Sequence, residues 1–435
     1  MEQTSPLYQH VVVVGGGAGG LELATRLARK YRRKGLKVTL VDREPTHIWK
    51  PLLHEVATGS LDAGLDELSY SAQARSAGFK FQVGLMESID RERQCIHLAA
   101  VTGQSGDTLM PVRTLYYDYL VMAVGSVTND FGVTGVAQHC TFLDSRHQAE
   151  TFRQTLLEAC LKNSNSDDQH LRIAIVGAGA TGVELSAELF NTAQELAAYG
   201  ISRLDRNRLE VTLIEAGPRI LPALPDRISS AACQELQKLG VIVRQDTRIT
   251  SVSEAGLTTD TGELIKADLK VWAAGIRAPE FLTRLDDLEY NRLNQLVVGP
   301  DLRTTRDKRI FALGDCAACA RTDGNGNVPP RAQAAHQMAS FLYKNFRHIL
   351  KETPLPAYEY KDYGSLVSLS RFSTVGSLMG NLSKGSLMVE GRLARLVYVS
   401  LYRLHQLAIY GYTKTCLIAL VDRINKVIRP RLKLH

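Results

Sequence analysis

Two dinucleotide-binding fingerprints stand in tandem in this 435-residue chain, and they narrow its possible folds more than any other feature. The first runs Val11-Val-Val-Val-Gly15-Gly16-Gly17-Ala18-Gly19-Gly20-Leu21-Glu22; the second runs Ile173-Ala-Ile-Val-Gly177-Ala-Gly179-Ala-Thr-Gly182-Val183-Glu184. In each, a β-branched run predicts a buried parallel strand, and the first glycine (Gly15, Gly177) a tight turn out of it. The second glycine (Gly17, Gly179) lets the backbone approach a pyrophosphate, and the third (Gly20, Gly182) lets the helix pack closely on the strand. Ala18 and Gly19 complete the first loop. The apolar periodicity of residues 21–27 and 183–189 predicts helices, whose first turns offer free N–H groups to phosphate.

An acid closes the next strand of both units: Asp42 after Val38-Thr-Leu-Val, and Glu215 after Val211-Thr-Leu-Ile. Such an acid hydrogen-bonds an adenosine ribose at a spacing of about 20 residues. Asp42 fits; the longer reach to Glu215 predicts a lengthened helix or exit loop around Tyr199-Gly200. A glycine-rich helix cap is the plain alternative for one triplet, but glycines, strands and acids recurring together argue for two bound nucleotides and an electron path between them. Further buried strands end in glycine turns at Tyr119-Leu-Val-Met-Ala-Val-Gly125, Leu269-Lys-Val-Trp-Ala-Ala-Gly275 and Ile310-Phe-Ala-Leu-Gly314-Asp315.

The expected fold is therefore α/β, with two Rossmann-like dinucleotide-binding domains, a small C-terminal sheet and amphipathic helices. Residues 1–165 form the first domain, ending at the polar run 162–169, and 166–300 form the second. Residues 301–346 return to the first, and 347–435 form a terminal region of short Gly- and Ser-punctuated strands followed by helices.

Charge is concentrated at that end. Residues 391–435 carry nine Lys/Arg and one acid, whereas the whole chain nets +7. Val397, Leu401, Leu404 and Ala408, then Leu417, Leu420, Val421, Ile424, Val427 and Ile428, recur at helical spacing, with Gly411 between the two sets and Pro430 after the second. An apolar stripe beside Lys and Arg suits a helix lying on an anionic membrane surface. Packing on its own domain, or in a homodimer, is the alternative. No recognisable nucleic-acid module accompanies the tail, so nucleic acid is not expected as a partner. No signal peptide and no uninterrupted apolar run of about 18 residues is read. Seven cysteines without framework spacing suit a reducing compartment. No cluster has convincing metal-site spacing, so no metal is expected.

Three stretches, Trp49-Lys-Pro-Leu-Leu-His-Glu-Val-Ala-Thr-Gly59, Gly314-Asp-Cys-Ala and Pro329-Pro-Arg-Ala-Gln333-Ala-Ala-His-Gln337, together with the basic C-terminus, resemble the bacterial type II NADH dehydrogenases among the two-dinucleotide-binding-domain flavoproteins. The resemblance implies FAD on the first unit, including Gly125, Gly314 and Asp315, and NADH on the second, including Gly275. It implies that Glu184 orients the substrate near the nicotinamide, with capping or packing as the alternative. It implies that Gln333 and Gln337 line a quinone pocket, where i, i+4 spacing on a helix puts two uncharged donors on one face. The activity implied is respiratory NADH:quinone oxidoreduction without proton pumping, by a peripheral protein on the cytoplasmic face of the bacterial inner membrane. Glu215 favours NADH because a carboxylate repels a 2′-phosphate, and the nearby Arg219 leaves NADPH open. A soluble NAD(P)H-dependent flavin reductase and a redox-responsive binding protein with a basic tail are the alternatives. Cys316-Ala-Ala-Cys319 has redox spacing, but it follows the Gly-Asp turn, where a disulfide reductase does not carry its pair; small buried residues are the plainer reading.

Overall fold

The computed structural model describes residues 9–103, 105–164, 170–199, 208–369, 373–379, 386–390 and 402–428. An eight-stranded sheet forms the first unit, in the order Ala317–Cys319, Leu296–Val298, Arg303–Thr304, Asp307–Ala312, Tyr119–Met122, His10–Val14, Lys37–Asp42, Lys80–Val83. Its last five strands are parallel. Val11 to Val14 are all buried, which a parallel strand covered on both faces requires. The second unit repeats the scheme with four parallel strands, Ile242–Arg244, Leu209–Ile214, Leu171–Val176 and Leu269–Trp272.

Both fingerprints form the expected strand–turn–helix. Gly15 and Gly177 sit at φ of 103° and 100°, in the left-handed region that favours glycine. A Cβ on Gly20 would lie 1.9 Å from the Gly15 carbonyl oxygen, and one on Gly182 would lie 2.0 Å from that of Gly177. No side chain fits at either crossing. The second helix, Ala180–Ala198, has 19 residues against 14 in Ala18–Tyr31. This accounts for part of the longer reach to Glu215, and residues 200–207 lie outside the described residues.

The units are joined by a two-stranded ribbon pairing Val127–Thr128 with Ile276–Arg277. Past the ribbon, Thr134 and Thr141 bridge Ser251 and Val271 of the second unit, and helix Arg146–Ser164 places Phe152, Leu156 and Cys160 in a cluster shared by Leu53, Val56 and Ala57 of helix Leu53–Thr58 and by Leu171, Ile173 and Val211. Ala278, Leu282, Leu285 and Leu288 already belong to the first unit's core, as does strand Leu296–Val298. The chain crosses between the two sheets at this ribbon. The polar run read as a linker begins inside a helix, which continues to Ser164; residues 165–169 are not described. Sheet membership is set by long-range pairing, which local polarity does not report.

The terminal sheet is an antiparallel meander of Gly364–Leu369, Ser373–Met379 and Ser386–Glu390. Its Val367 and Leu369 pack into the second unit's core. Two helices follow, 402–410 and Tyr412–Ile428, separated by Gly411 at φ 81°. Val397, Leu401 and Pro430 fall outside the described residues.

Candidate active site between the two nucleotide units

The acids of the two units are held in the same way. The Gly16 amide donates to Asp42 (2.6 Å) and the Ala178 amide to Glu215 (2.9 Å). The Glu44 and Gly217 amides fill the second oxygen of each. Burial raises the Asp42 carboxyl's pKa, and the Glu44 and Gly16 amides pull it back. Each carboxylate is thus fixed beside its own phosphate loop, with lone pairs left for ribose hydroxyls. Tyr70, for which the sequence offered no signal, donates to the Gly16 carbonyl at 2.8 Å; a Cβ on Gly16 would fall 2.4 Å from its ring. A Cβ on Gly17, Gly125 or Gly179 would meet nothing within 4 Å. The loops are therefore open on the side where a pyrophosphate approaches, and the residues present fit a dinucleotide in each unit.

Gly125 and Gly275 both take positive φ and lead directly into the two strands of the ribbon. The Asn129 amide donates to the Gly275 carbonyl (3.3 Å), so the two turns lie side by side. Asp315 joins them, accepting from the Ser126 hydroxyl at 2.7 Å, and a cleft of about 180 Å³ runs between Asp315, Ser126 and the ribbon residue Arg277.

Glu184 lies in a buried polar cluster that the sequence did not foresee. His54 Nδ1 is 3.5 Å from Glu184, and the Ser368 amide donates to it at 3.0 Å. Glu188, one turn on, accepts from Ser60 and from Asn191. Burial pushes the Glu184 carboxyl up to about 8, with Glu55 and Glu188 adding to the rise and the Ser368 amide opposing it. Burial takes His54 down to about 4. Near neutrality burial therefore favours the protonated form of Glu184. The i, i+4 repeat of Glu184 and Glu188 on an otherwise apolar helix was a readable signal; the convergence of His54 and Ser368 from distant segments was not.

Gln333 and Gln337 lie on helix Ala332–Leu350. Tyr360 donates to the Gln333 carbonyl oxygen at 3.0 Å, and among the described residues the Gln333 amide nitrogen has no protein partner. Gln337 is bound at both ends to the Lys361 backbone, at 2.7 and 3.0 Å, which ties that segment to the helix. Neighbouring Ala335 touches the positions where Gly19 and Gly314 would carry a Cβ, so this helix starts against the first unit's cofactor loops. Cys316 and Cys319 are free and buried, and burial raises both thiols to about 11, which disfavours thiolate chemistry. Among the described residues, no group of three or more His, Cys, Asp or Glu is placed to hold a metal ion.

Helix 402–410 docks on the first unit through its end, where Arg29 and Gln73 donate to the Ile409 carbonyl. In helix Tyr412–Ile428, Asp422 pairs inward with Arg403 at 2.7 Å, while Leu417 (62% exposed), Leu420 (57%) and Ile428 (75%) face out. Among the described residues, no helix is long and apolar enough to cross a membrane.

Residues 9–339 match the pyridine nucleotide-disulphide oxidoreductase family. The chain is 50% identical to a type II NADH:quinone oxidoreductase of Haemophilus influenzae, over 98% of this chain and 100% of that one. It is 28% identical to the Mycobacterium tuberculosis enzyme of the same name, over 91% of this chain and 84% of the relative. Among solved structures, NDH2 of Plasmodium falciparum in complex with NADH superposes with a TM-score of 0.82 at 19% identity, covering 98% of this chain and 100% of that one. The sulfide:quinone oxidoreductase of Aquifex aeolicus reaches 0.71 at 17% identity, covering 97% and 95%. These two structures show the fold.

Proposed function

The chain belongs to the pyridine nucleotide-disulphide oxidoreductases, and within them to the type II NADH:quinone oxidoreductases; on that premise we propose how its residues divide the reaction. The enzyme is a flavoprotein that oxidises NADH and reduces quinone. The first unit, from Gly15 to Asp42 with Gly125, Gly314 and Asp315, holds FAD, and the second, from Gly177 to Glu215 with Gly275, binds NADH. The observation that carries this division is the ribbon, which brings the Gly125 and Gly275 turns together from two otherwise separate sheets. Bound in the first unit, FAD would supply the redox chemistry that links hydride transfer from NADH to two-electron reduction of quinone. The protein positions the partners and manages protons.

Glu184, protonated in its buried cluster, donates a hydrogen bond that orients the nicotinamide near the flavin. Gln333, whose amide nitrogen has no protein partner among the described residues, offers it to a quinone carbonyl, while Gln337 holds the Lys361 segment that walls the pocket. The outward apolar face of helix Tyr412–Ile428 rests on an anionic bilayer surface at the cytoplasmic side of the inner membrane, which places the quinone site beside its lipid-dissolved substrate. A homodimer covering the same face is the competing occupant. Oxidation of NADH and NADPH by the purified holoenzyme with a short-chain quinone, read alongside the flavin spectrum, tests the reading. Flavin bleaching by NADH that quinone reverses supports it. Bleaching that only soluble dyes reverse would favour a soluble flavin reductase.

A further inference from the structure

The polar lock between helices Ala18–Tyr31 and Ala332–Leu350 has no role in the reaction as described so far. At its centre Glu22 is fully buried (side chain 0% exposed) in the helix that opens at the first fingerprint. Arg26 Nη1 donates to its Oε1 at 2.6 Å, and His336 Nδ1 lies 2.6 Å from its Oε2. Ser340 supports the pair from the next turn. Two helices that need only pack have no use for a buried carboxylate, because removing it from water costs several kcal/mol before partners compensate. His336 itself is half out: its side chain is 45% exposed, and among the described residues Nε2 has no protein partner. A buried acid on Nδ1–H fixes the tautomer and leaves Nε2 as the working nitrogen.

The position of this pair makes it more than a lock. His336 follows Ala335, which abuts both Gly19 and Gly314, and stands three residues from Gln333 and one from Gln337 on the same helix. Resting on the quinone reading above, we propose that His336, oriented by the buried Glu22, delivers a proton to the quinone. Conversion of quinone to quinol takes two electrons and two protons. NADH brings both electrons and one proton as hydride. The second proton leaves Nε2 as its bond to a quinone oxygen forms, and the neutral ring is refilled from water through its exposed edge. The charged and titratable groups facing His336 are Glu22 and, through it, Arg26 from the first helix, and His405 from helix 402–410.

The test compares two acceptors on the membrane-bound holoenzyme: a short-chain quinone, which needs protons, and ferricyanide, which takes electrons only. His336→Asn keeps a donor for Glu22 but cannot carry a proton. Glu22→Gln keeps an acceptor without the charge, and serves should the first variant lose its flavin. The ratio of quinone to ferricyanide turnover is expected to fall about 100-fold in His336→Asn, the lower range for general acid catalysis, and about tenfold in Glu22→Gln. Wild type is expected to show a pH dependence with quinone that ferricyanide lacks, and His336→Asn is expected to lose it. A ratio within about twofold of wild type overturns the proposal, and so does a parallel fall with both acceptors. A wild-type enzyme unable to reduce quinone at all would instead overturn the functional reading on which the proposal rests.

Discussion

Glu184 and His54 pull stability in opposite directions with pH, and the windows follow from their shifts. Glu184, raised from 4.5 to about 8, binds more protons in the folded state between those values, so its ionisation lowers stability as pH climbs through that window. His54, lowered from 6.5 to about 4, binds fewer protons when folded, so its contribution rises with pH between about 4 and 6.5 and is flat above. From pH 6.5 to 8 only the Glu184 slope remains. Glu184→Gln is expected to flatten the decline in thermal midpoint across pH 6.5–8, measured without NADH; a decline as steep as wild type's would mean that Glu184 is already ionised in the native state. Arg219 allows a second residue-level prediction. Its guanidinium is already engaged by the Leu224 and Pro222 carbonyls and by Asp226. Arg219→Ala should therefore leave the NADPH-to-NADH ratio of kcat/KM within about twofold, whereas Glu215→Gln, which removes the repelling charge, should raise it about tenfold, or about 1.4 kcal/mol. Steady-state kinetics with both nucleotides decide between the two residues.

At the scale of elements, the repeated strand–turn–helix was readable because each of its glycines answers a local steric demand that repeats in the sequence. The Cβ positions of Gly20 and Gly182 collide with the carbonyls of Gly15 and Gly177 in the same way in both units. An alanine at either site must push its helix off its strand, an overpacking strain of about 1–3 kcal/mol. Gly20→Ala is expected to come off purification depleted of flavin, and Gly182→Ala to keep its flavin but show a KM for NADH raised at least about tenfold. Flavin loss from Gly182→Ala with normal flavin in Gly20→Ala would reverse the assignment of the units. The glycine turns and the terminal meander were legible for similar reasons. The antiparallel sheet of Met86–Asp90, Cys95–Leu98 and Arg113–Tyr116 was not, because its strands carry mixed, half-buried patterns that resemble loops. Nor was the buried cluster at Glu184, since helix Leu53–Thr58 and strand Gly364–Leu369 reach it from opposite ends of the sequence.

For the molecule as a whole, the terminal helices join two requirements that no single element meets. Their inner side is bound to the first unit: His405 lies 3.1 Å from His47, stacks on Trp49 with ring centroids 4.2 Å apart, and is followed by the Ile409 carbonyl held by Arg29 and Gln73. Their outer side leaves Leu417, Leu420, Val421 and Ile424 about half exposed or more, while Asp422, the one acid among residues 391–435, is turned inward to Arg403. In water that arrangement is inverted, since an isolated amphipathic helix gains by burying its leucines. Against a bilayer it is the favourable one, and each fully inserted leucine or isoleucine is worth about 1.5–3 kcal/mol. Leu417→Asp and Ile424→Asp together remove two such anchors and add two charges that anionic lipid repels. The fraction of enzyme sedimenting with vesicles containing anionic lipid is expected to fall at least about tenfold, with the flavin content close to wild type because both side chains are about half exposed or more. An equal bound fraction would place the membrane contact elsewhere. A shift from dimer to monomer in sedimentation velocity without loss of vesicle binding would show that a second copy of the chain covers this face.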